Sequence, residues 1–350
     1  MIRLSRSLVF VSTVALLFVG NGARAASHPD HDSMEASSKQ VTVYSGRSES
    51  LVGPVIERFE RESGVRVAVR YGGTAELTGL LLEEGSKTPA DLFFAQDAGA
   101  LGALAKHDRL QKLPDTLLAR VGSSYRSPAG MWVGVTGRAR TVVYNTDRVS
   151  VEELPDSIMD FTDPKWKGKI AWAPGNGSFQ AAITAMRAQI GDEKTRAWLE
   201  GIIANKPREY PKNSAIVRAV GNGEAHVGFV NHYYLHRFTS EDAGFPAANH
   251  YTEAGDPGSL VNVAGVAIPR KSKHDRSTHV ATIQLIEFLL SNETQQYFAS
   301  ETNEYPLVAE VEAASDLVPI SEITPPAIDL SDLDDLEGTL TLLREVGALP

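Results

Sequence analysis

The chain has 350 residues, of which 42% are hydrophobic and 22% are charged, with a formal net charge of −10 and no cysteine. This composition excludes a disordered chain, a collagen and a disulfide scaffold. The lack of cysteine also excludes thiolate metal sites and lipid attachment at an N-terminal Cys. An acidic chain without a basic stripe argues against a nucleic-acid partner.

The first 25 residues have the pattern of a signal peptide. Arg3 and Arg6 form a positive n-region, residues 8–20 are apolar, and residues 23–25 (Ala-Arg-Ala) resemble a cleavage site. The alternative is an uncleaved membrane anchor, which needs a longer apolar span. We therefore expect an exported, periplasmic protein that is not a lipoprotein. Residues 26–40 form a polar leader, in which a weak metal site is the less common interpretation.

From residue 41 onward, the hydrophobic pattern predicts alternating strands and helices. The first helix ends at Gly64, a residue type that commonly stops helices. This alternation is typical of a doubly wound α/β sheet, in which ligands bind beyond the carboxyl ends of the strands. The predicted strands and helices of this first unit are 41–44, 49–63, 65–69, 75–85 and 91–95.

A second α/β unit is predicted to begin near Arg140. From there to the C-terminus, strands are predicted at 141–144, 169–173, 227–230 and 260–268. Helices are predicted over the same part of the chain at 178–189, 193–204, 214–220, 283–298 and 330–346. The chain is thus expected to form two lobes with a C-terminal helical segment. The predicted boundaries are 41–139 plus about 265–310 for the first lobe, 140–264 for the second lobe and 311–350 for the C-terminal segment.

The sequence has no nucleophile elbow, no His-Glu-x-x-His motif and no P-loop, and its histidines are scattered. These absences argue against an exported hydrolase, and we expect no enzymatic activity. Two lobes, an export signal and no catalytic motif instead favour a hinged solute-binding protein.

Seven short motifs support a more specific interpretation. They are VYSGR at 43–47, GSKTPAD at 85–91, GRAR at 137–140, WKGK at 166–169, KNS at 212–214, NHYY at 231–234 and EYPL at 304–307. Together, in this order, they resemble the periplasmic ferric-ion-binding proteins of bacterial ABC importers, from about residue 41 to the C-terminus. The resemblance implies a transferrin-like type II binding-protein fold with a central cleft and hinge strands. It also implies Fe(3+) as the transported ligand, with an ABC permease and its ATPase as partners, and we expect a monomer.

The adjacent tyrosines Tyr233 and Tyr234 follow the strand predicted at 227–230. Neighbouring side chains on a strand point to opposite faces, so both rings reach one site only if the strand ends and the backbone turns. Ferric ion is a hard cation that suits phenolate oxygen, and binding must displace protons because the pKa of free tyrosine is ~10. From the residues alone, two half-buried tyrosines beside a core are the more common arrangement. The resemblance implies that they are the paired metal ligands.

The resemblance is less complete at the other ligand positions. One branch of the family adds a histidine and a glutamate, but Ser48 and Gln96 stand at those positions and neither is anionic. Another branch uses additional tyrosines, and Tyr144 falls at the position of a third ligand; a buried strand residue is the alternative. Whether Tyr44 or His232 reaches the metal is left open.

A small oxyanion, carbonate or phosphate, is implied as a further ligand of the iron. Asn176, Gly177 and Ser178 open a predicted helix, whose free amide groups favour anions. This loop aligns with an anion-binding loop of the family, as do Asn213 and Asn231.

Two arginines are also candidates for holding the anion. Arg138 and Arg47 each offer a planar guanidinium fork that matches carbonate. A surface salt bridge is the alternative for Arg138, whereas Arg140 is assigned a structural role. The competing function is a binding protein for a bare oxyanion or another small solute, which would share the fold without needing adjacent tyrosines.

Overall fold

The computed structural model describes residues 40–272, 275–314 and 317–350. The predicted signal peptide and all but the last residue of the polar leader lie outside the described residues. Among the described helices, none combines the length and the apolar composition needed to cross a lipid bilayer.

The strands of the described residues pair into one mixed sheet. They are β1 (Gln40–Ser45), β2 (Arg66–Tyr71), β3 (Leu92–Ala95), β4 (Val133–Asn145), β5 (Ile170–Trp172), β6 (Arg208–Glu209), β7 (Val227–Asn231), β8 (Ala247–His250), β9 (Val261–Ala267) and β10 (Tyr305–Pro306). Their order is β2-β1-β3-β9-β4-β7-β5-β6, and β8 and β10 both pair with β4. Parallel pairs lie towards the two ends, whereas the central strands β9 and β4 are antiparallel to each other.

Helices connect these strands. They are α1 (Glu49–Ser63), α2 (Thr74–Glu84), α3 (Ala98–Lys106), α4 (Asp115–Leu118), α5 (Gly177–Ile190), α6 (Asp192–Ala204), α7 (Asn213–Gly221), α8 (Tyr233–Thr239), α9 (Arg276–Leu289), α10 (Asn292–Thr302) and α11 (Leu336–Glu345). The predicted first helix is confirmed at both ends. It ends at Gly64, whose φ of 70° is a left-handed conformation that glycine adopts without strain.

Two predicted helices differ from the structure because polar side chains cap new helix starts. The helix expected over 283–298 is broken into α9 and α10, since the hydroxyl of Ser291 accepts a hydrogen bond from the Thr294 amide. The helix expected over 330–346 starts as a 3-10 turn, and α11 follows only after Asp335 accepts a hydrogen bond from the Gly338 amide.

Strand β4 runs through both halves of the sheet. Its residues 133–139 pair with β9, and from Arg140 onward it pairs with β7 and β8. Val133 and Val135 belong to a first core, which gathers buried side chains mainly from residues 41–135, 260–308 and 330–333. Val142 belongs to a second core, from residues 142–229 and 342–348. The change of pairing partner at residues 139–140 therefore lies between two separate cores.

Both cores take side chains from several stretches of the chain. Leu260 and Val263, which precede the predicted boundary at about residue 265, pack in the first core. The C-terminal segment contributes side chains to both cores. Leu333 packs in the first core and Leu343 in the second, because the apolar residues of this segment are divided between two surfaces.

Candidate metal centre

A cavity of about 690 Å³ lies between the two cores. Helices α2 and α3 line it on the side of the first core, α5 and α8 line it on the side of the second, and β4 passes between them. The predicted site residues that line the cavity are Gln96, Arg138, Asn176, Gly177, Ser178, Asn231, Tyr233 and Tyr234. A cavity of this size is typical of small-ligand sites.

The two tyrosines reach the cavity because the backbone turns directly before them. Strand β7 ends at Asn231, His232 already has helical dihedral angles (φ −51°, ψ −44°), and α8 begins at Tyr233. The rings of Tyr233 and Tyr234 stack with their centroids 4.3 Å apart. The strand ends and the backbone turns before the two rings, which is the condition that the sequence analysis gave for both tyrosines to reach one site.

The surroundings of Tyr233 favour the protonated form of its phenol. Burial and the neighbouring Tyr234 raise the pKa of Tyr233, and Arg138 only partly opposes this rise. A highly charged metal ion can displace the protons, because its charge stabilises the phenolate far more than the arginine does.

Arg140, to which the sequence analysis assigned a structural role, lines the cavity. Its guanidinium donates to the Asn231 amide oxygen at 3.1 Å and lies 3.4 Å from the Ser178 hydroxyl. In the part of the chain that the structure describes, no carboxylate lies within 4.0 Å of it. Burial lowers the pKa of Arg140 to about 10, although Tyr233 and Tyr234 oppose this shift when ionised. The site therefore contains a buried cation without an anionic partner.

The sequence contained a signal for this arginine. Arg138 and Arg140 are two positions apart on a strand, and side chains two positions apart point to the same face. If Arg138 is a candidate for the cleft, Arg140 is one as well. Both line the cavity.

The loop before α5 forms a polar end of the cavity. The side-chain oxygen of Asn176 caps the helix, accepting from the Ser178 amide at 3.0 Å and from its hydroxyl at 2.6 Å. Asn213 lies behind this loop rather than in the cavity wall, and its amide nitrogen donates to the Ser178 hydroxyl at 2.9 Å. Asn213 thus positions Ser178, while Asn176, Gly177 and Ser178 face the cavity.

A buried ion-pair network lies beside the cavity and includes Glu304, which the sequence analysis named only as part of the EYPL motif. Both terminal nitrogens of Arg47 donate to the Glu304 carboxylate, at 3.0 and 2.7 Å, and one also donates to Gln96. Arg138 lies 4.0 Å from the same carboxylate and donates to the Gln96 carbonyl. Arg47 is directed at Glu304 and does not line the cavity, so its assignment to the anion is wrong. Arg138 makes a salt bridge, as the alternative interpretation stated, but this salt bridge is buried and does not lie at the surface.

Replacing Glu304 tests this network. Glu304→Gln is expected to destabilise the apo protein by about 3–5 kcal/mol, the usual cost of leaving a buried charge unpaired. Burial favours the neutral acid, but Arg47 and Arg138 outweigh it and hold the pKa of Glu304 below its ordinary value of 4.5.

The stabilisation by Glu304 is therefore complete above the ordinary pKa and is lost as the pH falls through the folded-state pKa. Thermal melts between neutral pH and about pH 3 measure this loss. The wild type should lose stability more steeply in acid than Glu304→Gln. Parallel curves would show that Glu304 is not the titrating group.

Tyr144 does not reach the cavity, and its assignment as a third ligand is wrong. Its ring is buried in the second core, and its neighbours across the sheet are Val227 and Ala248. Four residues along a strand separate it from Arg140 by ~13 Å. It is the buried strand residue that the alternative described.

The remaining candidates are also bound elsewhere. Ser48 lies at the exposed start of α1, 3.2 Å from the Ser50 hydroxyl. Tyr44 donates to Glu84 at 2.9 Å. His232 is buried, with Nδ1 accepting from the Ala139 amide at 3.2 Å and Nε2 donating to the Asn303 carbonyl at 2.8 Å. None of these three side chains lines the cavity.

Carboxylates and histidines do not offer another metal site in the described ranges. Within them, no group of three or more His, Asp or Glu side chains is placed to hold a metal ion. Two carboxylates line the cavity, of which Asp97 caps α3 and Asp334 pairs with Lys106.

Known proteins resemble this chain over most of its length. The family described as bacterial extracellular solute-binding protein matches residues 87–326. The major ferric iron-binding protein of Neisseria meningitidis is 30% identical over 311 residues, which is 88% of this chain and 92% of that protein. The Fe(3+)-binding periplasmic protein of Serratia marcescens is 29% identical, covering 97% of this chain and 96% of the relative.

Solved structures agree with this relationship. Iron-bound HitA from Pseudomonas aeruginosa superposes with a TM-score of 0.78 at 32% identity, over 88% of this chain and 99% of that one. A Trichodesmium protein in complex with iron and citrate ligands also gives a TM-score of 0.78, at 28% identity and the same coverage. The predicted two-lobed type II fold is thereby confirmed, and the named relatives are binding proteins. This chain belongs to the bacterial extracellular solute-binding proteins, among the ferric-iron-binding periplasmic proteins.

Proposed function

We propose that this protein captures ferric iron in the cavity between its two cores, with the phenolates of Tyr233 and Tyr234 as its metal ligands. The observation that carries the proposal is the pair of stacked phenols beside a buried arginine without a carboxylate partner. The names of its relatives, among them ferric iron-binding and Fe(3+)-binding proteins, point to the same cargo.

Two phenolates leave most positions of an octahedral ferric ion open, so further oxygen donors must arrive with it. A small anion such as carbonate or phosphate fits the polar end of the cavity. Arg140 and Arg138 supply positive charge there, and the amides at the start of α5 supply further donors. The anion then balances the arginines and occupies positions on the iron at the same time.

Capture and delivery follow from the hinged fold. Iron binds first to the tyrosines, and the two lobes then close over it, because contacts across the cavity exist only in the closed form. We infer that an exported protein of this kind works in the periplasm and passes iron to an ABC permease whose ATPase supplies the energy. No covalent chemistry is required of the protein.

A visible titration tests the proposed function. Colourless apo protein is mixed with increasing ferric nitrilotriacetate, and phenolate-to-iron charge transfer should produce a coloured complex that saturates at one iron per chain. Sulfate or phosphate without iron should produce no colour and no comparable heat of binding. Strong binding of such an oxyanion, with no response to iron, would support the competing function instead.

Proton release gives an independent prediction. Because the pKa of a free tyrosine phenol is ~10 and iron binds the ionised form, each iron should release about two protons from the protein. A pH indicator in weakly buffered solution measures this release. The single variants Tyr233→Phe and Tyr234→Phe should each release about one proton fewer than the wild type, since the protons from the chelator cancel in the difference. Equal release by all three proteins would contradict phenolate ligation.

A further inference from the structure

The C-terminal segment 330–343, called here the strap, connects the two cores by a route separate from the strands. Leu330 and Leu333 are buried in the first core, and Leu342 and Leu343 in the second. Between these anchors, Asp334 and Leu336 line the cavity together with Leu333. The strap is thus part of the cavity wall.

Its first anchor is a close contact with α3. A side-chain Cβ placed on Gly99 would lie 2.3 Å from the Leu333 carbonyl oxygen, and one on Gly102 would lie 2.1 Å from the Ser331 carbonyl oxygen. Only glycine allows the two backbones to approach so closely. The Trp132 indole also donates to the Ser331 hydroxyl at 3.0 Å. This end of the strap is fixed to the first core.

Its second anchor is centred on Arg187 of α5. This guanidinium donates to the Asp335 carbonyl at 3.1 Å, to the Asp335 carboxylate at 2.9 Å and to the Thr339 hydroxyl at 3.0 Å. The Thr339 hydroxyl also lies 2.8 Å from that of Thr184, and this contact is buried. Several bonds therefore hold this end of the strap to the second core.

Two consecutive residues of the strap, Asp334 and Asp335, bind to different cores. Lys106 of α3 pairs with Asp334 at 2.7 Å, and Arg187 of α5 pairs with Asp335. Single exposed ion pairs contribute little, but here they add to buried contacts on both sides. Helices α3 and α5 also line opposite walls of the cavity.

We propose that the strap is a tether that limits how far the two lobes open. A chain spans at most ~3.6 Å per residue, so the short link from Leu333 to Asp335 cannot lengthen appreciably. If α3 and α5 move apart, one anchor must break. Opening at this point therefore costs the contacts of that anchor, and the tether favours retention of a bound ion. The retention part of this inference rests on the proposed function.

Lengthening the link tests the tether without removing either anchor. Gly-Ser-Gly is inserted between Asp334 and Asp335, and the same tripeptide between Thr146 and Asp147, in an exposed turn away from the strap, is the matched control. Because the chain has no cysteine, Glu83→Cys in α2 and Lys194→Cys in α6 accept spin labels at unique positions. Pulsed electron–electron double resonance then measures the distance between the two cores in the apo protein.

The strap insertion should broaden the apo distances towards longer values and accelerate iron release to a chelator several-fold, with the iron-bound distance unchanged. The control insertion should behave as the parent protein. Asp335→Asn, which keeps a capping oxygen for α11 but removes the charge facing Arg187, should produce a smaller change in the same direction. The tether is disproved if both strap variants keep the parental distances, or if the control insertion broadens them equally. If the wild type binds no iron, the proposed function fails, whereas the apo distances still decide on the tether.

Discussion

The double variant Tyr233→Phe/Tyr234→Phe is expected to lose the visible ferric band and nearly all iron affinity. It deletes both anionic oxygens, and the loss should exceed the ~10–100-fold typical of removing a group that acts only through another ligand. The rings remain, so their stacking is preserved. The free energy of unfolding of the apo variant should therefore lie within about 1 kcal/mol of the wild-type value, because one hydrogen bond usually contributes about that much.

Tyr144→Phe is the matched control for the double variant. It also deletes a phenol oxygen from a buried ring, but this ring packs in the second core outside the cavity. Its iron titration should match that of the wild type. If the double variant still binds iron normally, the tyrosine pair is not the metal site. If Tyr144→Phe weakens binding, Tyr144 contributes to the metal site as the sequence analysis expected.

Arg140→Gln is expected to weaken iron binding mainly through the anion. Each hydrogen bond from a charged group is worth ~1.5–3 kcal/mol, so its loss should lower the anion-dependent affinity about ten- to a hundredfold. The measurement is a chelator competition with and without added carbonate, and the variant should respond less to carbonate than the wild type. Arg140→Lys keeps the charge without the planar fork, so its response to carbonate should lie between those of the wild type and Arg140→Gln.

The stability of the apo protein distinguishes a role of Arg140 in anion binding from a merely structural role. Arg140 is buried without a carboxylate partner, and removing such a charge relieves a desolvation cost rather than breaking an ion pair. The apo form of Arg140→Gln should therefore be no less stable than the wild type while it binds iron more weakly. A large loss of apo stability together with unchanged carbonate dependence would assign Arg140 to the framework.

The local elements were predictable because neighbours along the chain determine them. Helix α1 has its apolar face and its terminating Gly64 within a single segment, and both its ends were predicted correctly. The break between α9 and α10 was missed, because the apolar pattern continues past Ser291 and only its capping bond interrupts the helix. Local polar bonds of this kind are weak signals in a hydrophobic pattern.

The site residues were harder to predict because their roles depend on distant partners. The burial of Arg47 depends on Glu304, which is 257 positions away, so no local pattern indicates that its guanidinium is already paired. Tyr144 and Arg140 lie on the same strand, yet one packs in a core and the other faces the cavity. Only the sheet pairing separates their roles. The tyrosine pair was more accessible to prediction, since a strand ending in a polar stretch implies the turn that brings both rings together.

Resonance Raman spectroscopy of the iron-loaded wild type, excited within its visible band, tests the central claim most directly. If Tyr233 and Tyr234 bind ferric iron as phenolates, the spectrum should contain enhanced tyrosine ring modes that shift in protein made with ring-deuterated tyrosine. The same modes should be absent from the double phenylalanine variant after exposure to iron. A wild-type protein that holds iron tightly without any enhanced tyrosine modes would contradict the account.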